Sequence, residues 1–358
     1  MRQKLPDFPW DALAPYGAIA KKHPHGAIDL SVGTPVDPTP EFIQKAFQAA
    51  SNSPSYPVTV GTPELREAIT AWAKKYLGAT GDFGVLPLIG SKEFVAWLPT
   101  FIEAQSVLYP DVAYPTYLVG SLLAEADATP VSLDASQWPR ADMAWVNSPS
   151  NPTGRVHSQS EFKAAVDWSR RNKSVVVSDE CYLEFGDSVK PTSILNYTGG
   201  DNTNILAVHS LSKRSSMAGY RAAFIVGDPA LIARILEVRK HAGMMVPLPV
   251  QVAMIAALSE EDHVVQQRAR YNSRRATLAP ALQAAGFTIE NSEAGLYIWA
   301  TRHEDCWDSV SWLAELGIIA TPGVFYGDLG ASHIRIAMTA TDAQISEAAA
   351  RITSKVGA

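Results

Sequence analysis

Residues 204–221 read NILAVHSLSKRSSMAGYR, an apolar run followed by a turn rich in serine. The run is short and contains mainly apolar and β-branched residues, which predicts a buried strand. One lysine, Lys213, follows this strand directly, and Arg221 comes eight residues later. Lysine is usually a solvated surface residue, and a surface turn would explain the stretch taken alone. The interpretation of Lys213 therefore depends on what the rest of the chain places near it.

Similar apolar runs alternate with amphipathic helical patterns from residue 40 to residue 227. The predicted strands are VLPLIG, SVLYP, TPVSL, MAWVNS, SVVVSD, NILAVHS and RAAFIVG. The predicted helices are PEFIQKAFQAA, PELREAITAWAKKYL, KEFVAWLPTFIEA, YLVGSLLAEA and SEFKAAVDWSRRN. Short strands separated by helices are typical of a mostly parallel sheet with helices on both faces. We therefore predict an α/β fold with such a sheet at its centre.

The two ends of the chain differ from this pattern. The first forty residues are rich in proline, which predicts an extended segment lying across another surface. Two long helical patterns begin at residues 249 and 262, and four strand-like segments follow them: FTIE, GLYIWA, GIIATPG and HIRIAM. We predict a large domain over residues 40–262, and a smaller α+β domain formed by residues 263–358 together with residues 1–39.

Composition excludes several classes of function. The chain has 358 residues and a net charge of −6, so no basic surface for nucleic acid or an anionic membrane is expected. Its two cysteines are not in a disulfide or metal-binding spacing, and its eight histidines are scattered, so no metal is predicted. We find no signal-peptide pattern or membrane-spanning segment, and we expect a cytoplasmic enzyme.

Polar side chains follow three of the predicted strands. Asn151 comes after MAWV, Asp179 and Tyr182 come after SVVVS, and Lys213 comes after NILAVHS. Ligands of α/β sheets collect at the carboxyl ends of the strands. We therefore expect an amide, a carboxylate, a phenol and an amine to meet at one edge of the sheet.

A possible phosphate site lies at the start of the third predicted helix, KEFVAWLPTFIEA. Gly90, Ser91 and Lys92 stand at its start, where free backbone N–H groups favour an anion. The order of these residues is not that of a P-loop, and no GxGxxG follows the first strand, so nucleotide binding is not predicted. A phosphate site beside a lysine, a carboxylate, a phenol and an amide meets the requirements of pyridoxal phosphate, whose aldehyde forms a Schiff base with lysine.

These residues and their surrounding motifs resemble those of a known family, the fold type I pyridoxal-phosphate-dependent aminotransferases of class I/II, which includes aspartate aminotransferase. The resemblance covers nearly the whole chain and consists of motifs in family order: GTPVDPTP, YPVTVGTPELR, GSKE, YPTY, NSPSNPTG, SDECY, SLSKRSSMAGYR and HIRIAM. Each motif is weak alone, but their ordered occurrence is specific. The amino-acid sequences of the N-terminal segment and of PGVFYGDLG most resemble those of bacterial N-succinyldiaminopimelate aminotransferases.

The resemblance implies a role for each candidate residue. Lys213 would be the Schiff-base lysine and proton carrier, and Asp179 would pair with the ring nitrogen. Tyr182 and Asn151 would contact the ring hydroxyl, and Tyr114 would stack on the ring. The phosphate would be bound by Ser210, Arg221 and the loop Gly90, Ser91 and Lys92.

The resemblance also assigns residues to the substrate and to assembly. Arg335 would hold the substrate α-carboxylate by a bidentate contact, and Gly33 and Asn151 would lie near the substrate. Tyr56 would reach the cofactor phosphate of a neighbouring subunit, which implies a homodimer with shared active sites. Any of Lys92, Arg155 and Arg214 could meet a distal carboxylate of the substrate.

The implied reaction is amino transfer between glutamate/2-oxoglutarate and an amino/oxo acid pair. The resemblance favours N-succinyl-LL-2,6-diaminopimelate and N-succinyl-2-amino-6-oxopimelate, in lysine biosynthesis. An aminotransferase of aspartate, alanine or an aromatic amino acid is the main alternative. A carbon–sulfur lyase, a decarboxylase, an acyl-CoA-dependent synthase, a cofactor-free homologue and an effector-sensing regulator fused to a DNA-binding domain fit the motifs less well.

Overall fold

The structure is a computed structural model, and it describes residues 5–356. Residues 1–4 and 357–358, which belong to the predicted small domain, lie outside the described residues. The helices are α1 (Ala14–Ala20), α2 (Glu41–Ala49), α3 (Pro63–Trp72), α4 (Ser91–Phe101), α5 (Thr116–Leu123), α6 (Gln159–Asn172), α7 (Leu211–Arg214), α8 (Pro229–His241), α9 (Leu248–Ser259), α10 (Asp262–Ala284), α11 (Cys306–Glu315) and α12 (Asp342–Val356). The strands are β1 (Ile28–Asp29), β2 (Gly84–Leu88), β3 (Ser106–Pro110), β4 (Asp127–Val131), β5 (Met143–Asn147), β6 (Val175–Asp179), β7 (Ile205–Ser210), β8 (Ala223–Gly227), β9 (Thr288–Glu290), β10 (Tyr297–Thr301), β11 (Ile318–Ile319), β12 (Thr321–Pro322) and β13 (His333–Ala337).

The central sheet has seven strands in the order β2-β8-β7-β6-β5-β3-β4. Strands β4, β3, β5, β6 and β7 run parallel to one another, and β8 runs antiparallel to both β2 and β7. Asn147 at the end of β5 is in register with Asp179 at the end of β6. The prediction of a mostly parallel central sheet flanked by helices is confirmed, and its carboxyl edge brings the predicted polar residues together.

Each face of this sheet is covered by its own hydrophobic core. Along β7, Leu206 and Val208 belong to the core that includes Phe94 of α4. Ile205 and Ala207, which alternate with them, belong to the opposite core, which includes Phe162 of α6. Each fully buried leucine, isoleucine, valine or phenylalanine side chain stabilises the fold by roughly 1.5–3 kcal/mol. The strands read as continuous apolar runs because both of their faces are buried.

The C-terminal part forms a four-stranded antiparallel sheet in the order β12-β13-β10-β9. A third core joins this sheet to Leu13 and Leu30 of the N-terminal segment. Strand β1 also pairs in parallel with β11, where Ile28 lies opposite Ile318. These contacts join the two ends of the chain, but the domain boundaries at residues 40 and 262 stay a prediction.

Some helices differ from the sequence prediction. The first forty residues are not irregular throughout, because α1 forms after a 3₁₀ turn and carries a proline in its first turn, where a missing N–H costs nothing. Helices α8, α11 and α12 were not predicted. Helix α8 had a readable signal, since Asp228 caps the N–H groups of Ala230 and Leu231. Among the described residues, no helix is long and apolar enough to cross a membrane.

Candidate active site

A cavity of about 840 Å³ opens at the carboxyl ends of β5, β6 and β7. Residues of the C-terminal sheet and of the N-terminal segment complete its wall. All but two of the predicted site residues line it: Gly33, Ser91, Lys92, Tyr114, Asn151, Asp179, Tyr182, Ser210, Lys213, Arg221 and Arg335. The two others are Gly90, directly behind the wall, and Tyr56, which is 92% exposed and lies outside the cavity.

Lys213 lies on α7, a single helical turn that follows β7. Its ammonium group donates a hydrogen bond to the carbonyl oxygen of Gly33. The pKa of Lys213 is lowered to about 8, chiefly by burial; Cys181 opposes this shift, and the nearby guanidinium groups of Arg335 and Arg221 contribute to it. A lysine with this pKa is partly neutral near physiological pH and can act as a nucleophile.

Asp179 ends β6 at the floor of the cavity. Its Oδ2 accepts a hydrogen bond of 2.9 Å from the hydroxyl of Tyr117, and its Oδ1 accepts one of 3.2 Å from the backbone N–H of Cys181. Burial raises the pKa of Asp179 against the opposing effect of these hydrogen bonds. Within residues 5–356, no lysine or arginine forms an ion pair with it. A buried carboxylate in this situation suits a cationic ligand atom, such as a protonated ring nitrogen.

Asn151 and Tyr182 face the same space as Asp179. The backbone N–H of Asn151 donates to Oδ1 of Asn147 at 2.8 Å, and Nδ2 of Asn147 donates to the carbonyl oxygen of Asp179 at 2.9 Å. The hydroxyl oxygens of Tyr182 and Tyr297 lie 3.1 Å apart. Burial raises the pKa of Tyr182 well above its ordinary value, so its phenol stays protonated and can donate a hydrogen bond.

The start of α4 forms the cationic end of the cavity. Gly90 precedes this helix with a φ of +94°, and a Cβ there would lie 2.0 Å from Nη2 of Arg221. The glycine thus makes room for the guanidinium group beside the free N–H groups at Ser91. Ser210 lies on the same wall, and its hydroxyl accepts a 3.2 Å hydrogen bond from the N–H of Ser212. Helix N–H groups, a guanidinium and hydroxyls form a site suited to a phosphate.

Arg335 on β13 is 2% exposed. Its Nη1 donates to Oδ1 of Asn151 at 2.8 Å, and its Nη2 donates to the carbonyl oxygen of Ser31 at 2.5 Å. The guanidinium carbon lies 4.1 Å from the ring centre of Tyr297 and 5.1 Å from that of Tyr326. Its Nε is buried with no partner among the described residues, and no described carboxylate pairs with it. Arg335 is therefore available to an anionic ligand.

Tyr114 and Gly33 occupy the cavity wall for different reasons. Burial raises the pKa of Tyr114 to about 12, and its ring makes an edge contact of 5.9 Å with Tyr117. A Cβ on Gly33 would lie 2.1 Å from the hydroxyl oxygen of Tyr297. A glycine is needed at position 33 because the backbone passes directly against that phenol.

The three cations considered for a distal carboxylate occupy different environments. Arg214 is buried and pairs with Glu184 and Glu261, each at 2.6 Å. Arg155 pairs with Glu161 at 2.6 Å, and neither arginine lines the cavity. Lys92 does line it and pairs with no carboxylate in the part of the chain described. Arg155 and Arg214 are therefore not available to a distal carboxylate of the substrate, because glutamate side chains already compensate their charges.

Sequence reasoning missed several residues of the site. Tyr297 was hidden in the apolar run of β10, where a tyrosine cannot be distinguished from a core residue. Tyr117, the second tyrosine of the YPTY motif, was given no role, but it is fully buried and hydrogen-bonded to Asp179. Phe8 and Trp10 also line the cavity, and the Nζ of Lys92 lies 5.6 Å from the ring centre of Phe8. No local pattern indicated that the N-terminal segment would close this end.

Comparison with known proteins identifies the family. The family model for aminotransferase class I and II matches residues 25–352. A 4-dedimethylamino-4-oxo-anhydrotetracycline transaminase of Streptomyces rimosus is 50% identical over 98% of this chain and 100% of its own length. A protein of Mycobacterium tuberculosis named as a probable aminotransferase is 52% identical over 98% of this chain and 85% of its own length.

A solved structure extends the similarity to three dimensions. The probable N-succinyldiaminopimelate aminotransferase of Thermus thermophilus superposes with a TM-score of 0.88 at 26% identity, covering 97% of this chain and 100% of that chain. The cavity also offers what pyridoxal phosphate requires, namely a partly neutral lysine, an uncompensated buried carboxylate and an anion site at a helix start. The chain belongs to the class I and II aminotransferases, and it is a pyridoxal-phosphate-dependent transaminase.

Proposed function

We propose that this aminotransferase moves an amino group between glutamate and N-succinyl-2-amino-6-oxopimelate, forming N-succinyl-LL-2,6-diaminopimelate and 2-oxoglutarate. The observation that carries the proposal is the distribution of charge in the cavity. Arg335 and Lys92 line it without a described carboxylate partner, while Arg221 stands at the phosphate end. Two uncommitted cations suit a substrate with a carboxylate at the reacting end and another at its far end.

The proposed roles of the residues follow from their contacts. When bound, pyridoxal phosphate supplies an aldehyde for the amino group and a ring that withdraws electrons. Lys213 holds the cofactor through its ε-amino group, and then carries a proton to and from the substrate Cα. Asp179 keeps the ring nitrogen protonated, and it is oriented for this by Tyr117. Tyr182 donates a hydrogen bond to the ring hydroxyl.

The remaining cofactor residues would fix its position. Arg221, Ser210 and the N–H groups at Ser91 would bind the phosphate, and the ring of Tyr114 would lie on the cofactor ring. Gly90 would contribute indirectly, by allowing Arg221 to approach the start of α4. These roles bring together the cation, the helix start and the hydroxyls that line the same end of the cavity.

Arg335 would orient the substrate at the reacting end. Its Nε and the unused Nη hydrogens can bind both oxygens of an α-carboxylate while its contacts with Asn151 and Ser31 hold the guanidinium in place. A fixed carboxylate would leave the Cα–H bond of the substrate turned towards Lys213, whose amine could then take the proton. Gly33 lies beside this position and leaves space for the substrate backbone.

Lys92 would bind the far end of the substrate. Its ammonium group lies at the part of the cavity that Phe8 and Trp10 close. A succinyl carboxylate could pair with Lys92 while the aromatic rings contact the methylene chain. The name of the Thermus thermophilus structure agrees with such a substrate, although its identity to this chain is only 26%.

A second candidate is a bulky oxo compound of the kind named for the Streptomyces rimosus relative. The observation that favours it is the 50% identity over the full length of that protein. A cavity of about 840 Å³ with an aromatic wall would accommodate a polycyclic substrate. The two candidates differ at Lys92, since a distal carboxylate needs the cation and a polycyclic ketone does not.

We also propose a homodimer in which Tyr56 reaches the cofactor phosphate of the neighbouring subunit. Tyr56 is 92% exposed, so its ring is accessible to the surface of a neighbouring subunit. The cytoplasmic location proposed for the enzyme agrees with Cys181 and Cys306, which are buried and unpaired.

The test compares kcat/KM of several acceptors with glutamate as the common donor: N-succinyl-2-amino-6-oxopimelate, oxaloacetate, pyruvate, phenylpyruvate and a polycyclic ketone. We expect the succinylated acceptor to be preferred by about tenfold or more, or about 1.4 kcal/mol. In Lys92→Ala this preference should fall, with pyruvate unaffected. Ser160→Ala, on the exposed start of α6, is the control. A preference for pyruvate, phenylpyruvate or the polycyclic ketone in the unmodified enzyme would overturn the lysine-pathway assignment.

A further inference from the structure

Helix α7, which carries Lys213, has four residues and cannot hold its position alone. One turn of helix fixes many dihedral angles for few hydrogen bonds, so its stability must come from tertiary contacts. Its backbone is anchored at one point, where the N–H of Leu211 donates to the carbonyl oxygen of Ala222. A further anchor is the side chain of Arg214, which follows Lys213 directly.

Arg214 connects the turn to two other segments. Its Nε donates to Oε1 of Glu184 at 2.6 Å, and its Nη2 donates to Oε1 of Glu261 at 2.6 Å. Its Nη1 donates to the carbonyl oxygen of Ala257 at 3.1 Å, and its guanidinium carbon lies 5.4 Å from the ring centre of Trp72. Glu184 is two residues beyond Tyr182, and Glu261 directly precedes α10. One buried guanidinium thus joins the lysine turn, the segment after β6 and the start of α10.

The next residue adds a second connection to the same place. The hydroxyl of Ser215 lies 2.8 Å from Nε2 of His263, and Nδ1 of His263 lies 2.8 Å from Oε2 of Glu260. Ser215 is 1% exposed, so water cannot replace this contact. Both residues that follow Lys213 are therefore fixed to the junction of α9 and α10.

We propose that Arg214 is a positioning residue for Lys213, holding α7 so that the lysine amine stays buried beside Gly33 and the predicted cofactor site. The guanidinium touches neither the cavity nor the reacting atoms, and it acts only through the turn. Both of its carboxylate partners matter, because a monodentate cation such as lysine can reach only one of them. The inference rests on the proposed role of Lys213 as the cofactor lysine.

The test uses the complete enzyme loaded with pyridoxal phosphate. In Arg214→Met the turn is less firmly held and the nitrogen of Lys213, which is joined to the cofactor in the loaded enzyme, gains water, so its charged form should be stabilised and its pKa should rise. We expect the pH midpoint of the visible absorption change to rise by about half a unit or more, and kcat to fall about tenfold with KM for glutamate changed less than threefold. Arg214→Lys should restore part of both losses.

Arg351→Met is the matched control. Arg351 is also a buried arginine, donating to Glu347 and to the carbonyl oxygen of Gly26, but it is remote from the cavity. It should lose stability without any shift of the absorption midpoint. An unchanged midpoint and kcat in folded Arg214→Met, or an equal shift in Arg351→Met, would refute the positioning role.

Two further variants keep the inference testable if Arg214→Met does not fold. Glu261→Gln and Glu184→Gln each leave one ion pair of Arg214 in place, and each should give a smaller shift in the same direction. Folded variants that both keep the original midpoint would count against the proposal. Borohydride reduction of the unmodified enzyme, followed by peptide mass spectrometry, tests separately whether Lys213 is the lysine that binds the cofactor.

Discussion

Replacing Arg335 with lysine should weaken transition-state binding of glutamate. The size of the loss follows from the number of hydrogen bonds that the side chain can donate to the substrate. Arginine has five N–H donors, and here one goes to Asn151 and another to Ser31. The unpartnered Nε and the free Nη hydrogens can therefore bind both oxygens of the α-carboxylate. Lysine has three donors, so if it keeps the two protein contacts only one remains for the substrate.

The expected loss is one hydrogen bond to a charged group, about 1.5–3 kcal/mol. This corresponds to a decrease in kcat/KM of about 10- to 150-fold. The assay is a single-turnover reaction of the loaded enzyme with glutamate, followed by the change in cofactor absorbance. It measures the first half-reaction and does not depend on the identity of the oxo acid acceptor.

Arg302→Lys is the control for this prediction. Arg302 also stacks on aromatic rings, Phe287 and Trp312, and pairs with Glu304, but it does not line the cavity. Its variant should react with glutamate at the original rate. A loss below about threefold in Arg335→Lys, or about 0.7 kcal/mol, would mean that Arg335 does not hold the carboxylate by two hydrogen bonds.

Three further predictions concern the cofactor and the assembly. Because the pKa of Lys213 is about 8, its amine is about one tenth neutral at pH 7 and half neutral at pH 8. Cofactor uptake by the cofactor-free enzyme should therefore be about fivefold faster at pH 8 than at pH 7. An uptake rate that does not change with pH would contradict this prediction. In steady-state assays, Asp179→Asn should reduce turnover by about two orders of magnitude, and Asp179→Glu should reduce it by less. Full activity in the Asn variant would show that Asp179 does not have its proposed role. Mixing inactive Lys213→Ala with inactive Tyr56→Ala under subunit exchange should restore activity, since a hybrid dimer has one site with both residues; proven exchange without recovery would place Tyr56 outside a shared site.

The central sheet was predictable because its strands are buried on both faces. A strand such as β6 needs apolar residues at successive positions, and three consecutive valines begin it, in VVVSD. The residues after such strands were also predictable, since the parallel arrangement of the sheet determines where their side chains meet. Asp179 and Lys213 belong to this class, and both line the cavity.

Contacts between distant segments could not be predicted in this way. Arg155 and Arg214 looked as suitable as Lys92 for a distal carboxylate, because a sequence does not show which cation is already paired. Tyr297 gave no signal either, since its importance comes from a strand that packs against Tyr182 only after the chain folds. These features depend on tertiary packing, which overrides local pattern.

The contact between Arg335 and Ser31 joins residues 304 positions apart in the sequence, which has a consequence for the order in which the enzyme matures on the ribosome. The seven strands of the central sheet are complete once residue 227 has emerged. The backbone of Ser31 then still lacks the guanidinium that it helps to orient, so the proposed carboxylate site does not exist in the growing chain. A nascent protein can expose Lys213, the proposed cofactor lysine, but on this proposal it cannot select an amino acid until β13 has been made. Substrate binding would therefore report that β13 has been made and lies against the N-terminal segment.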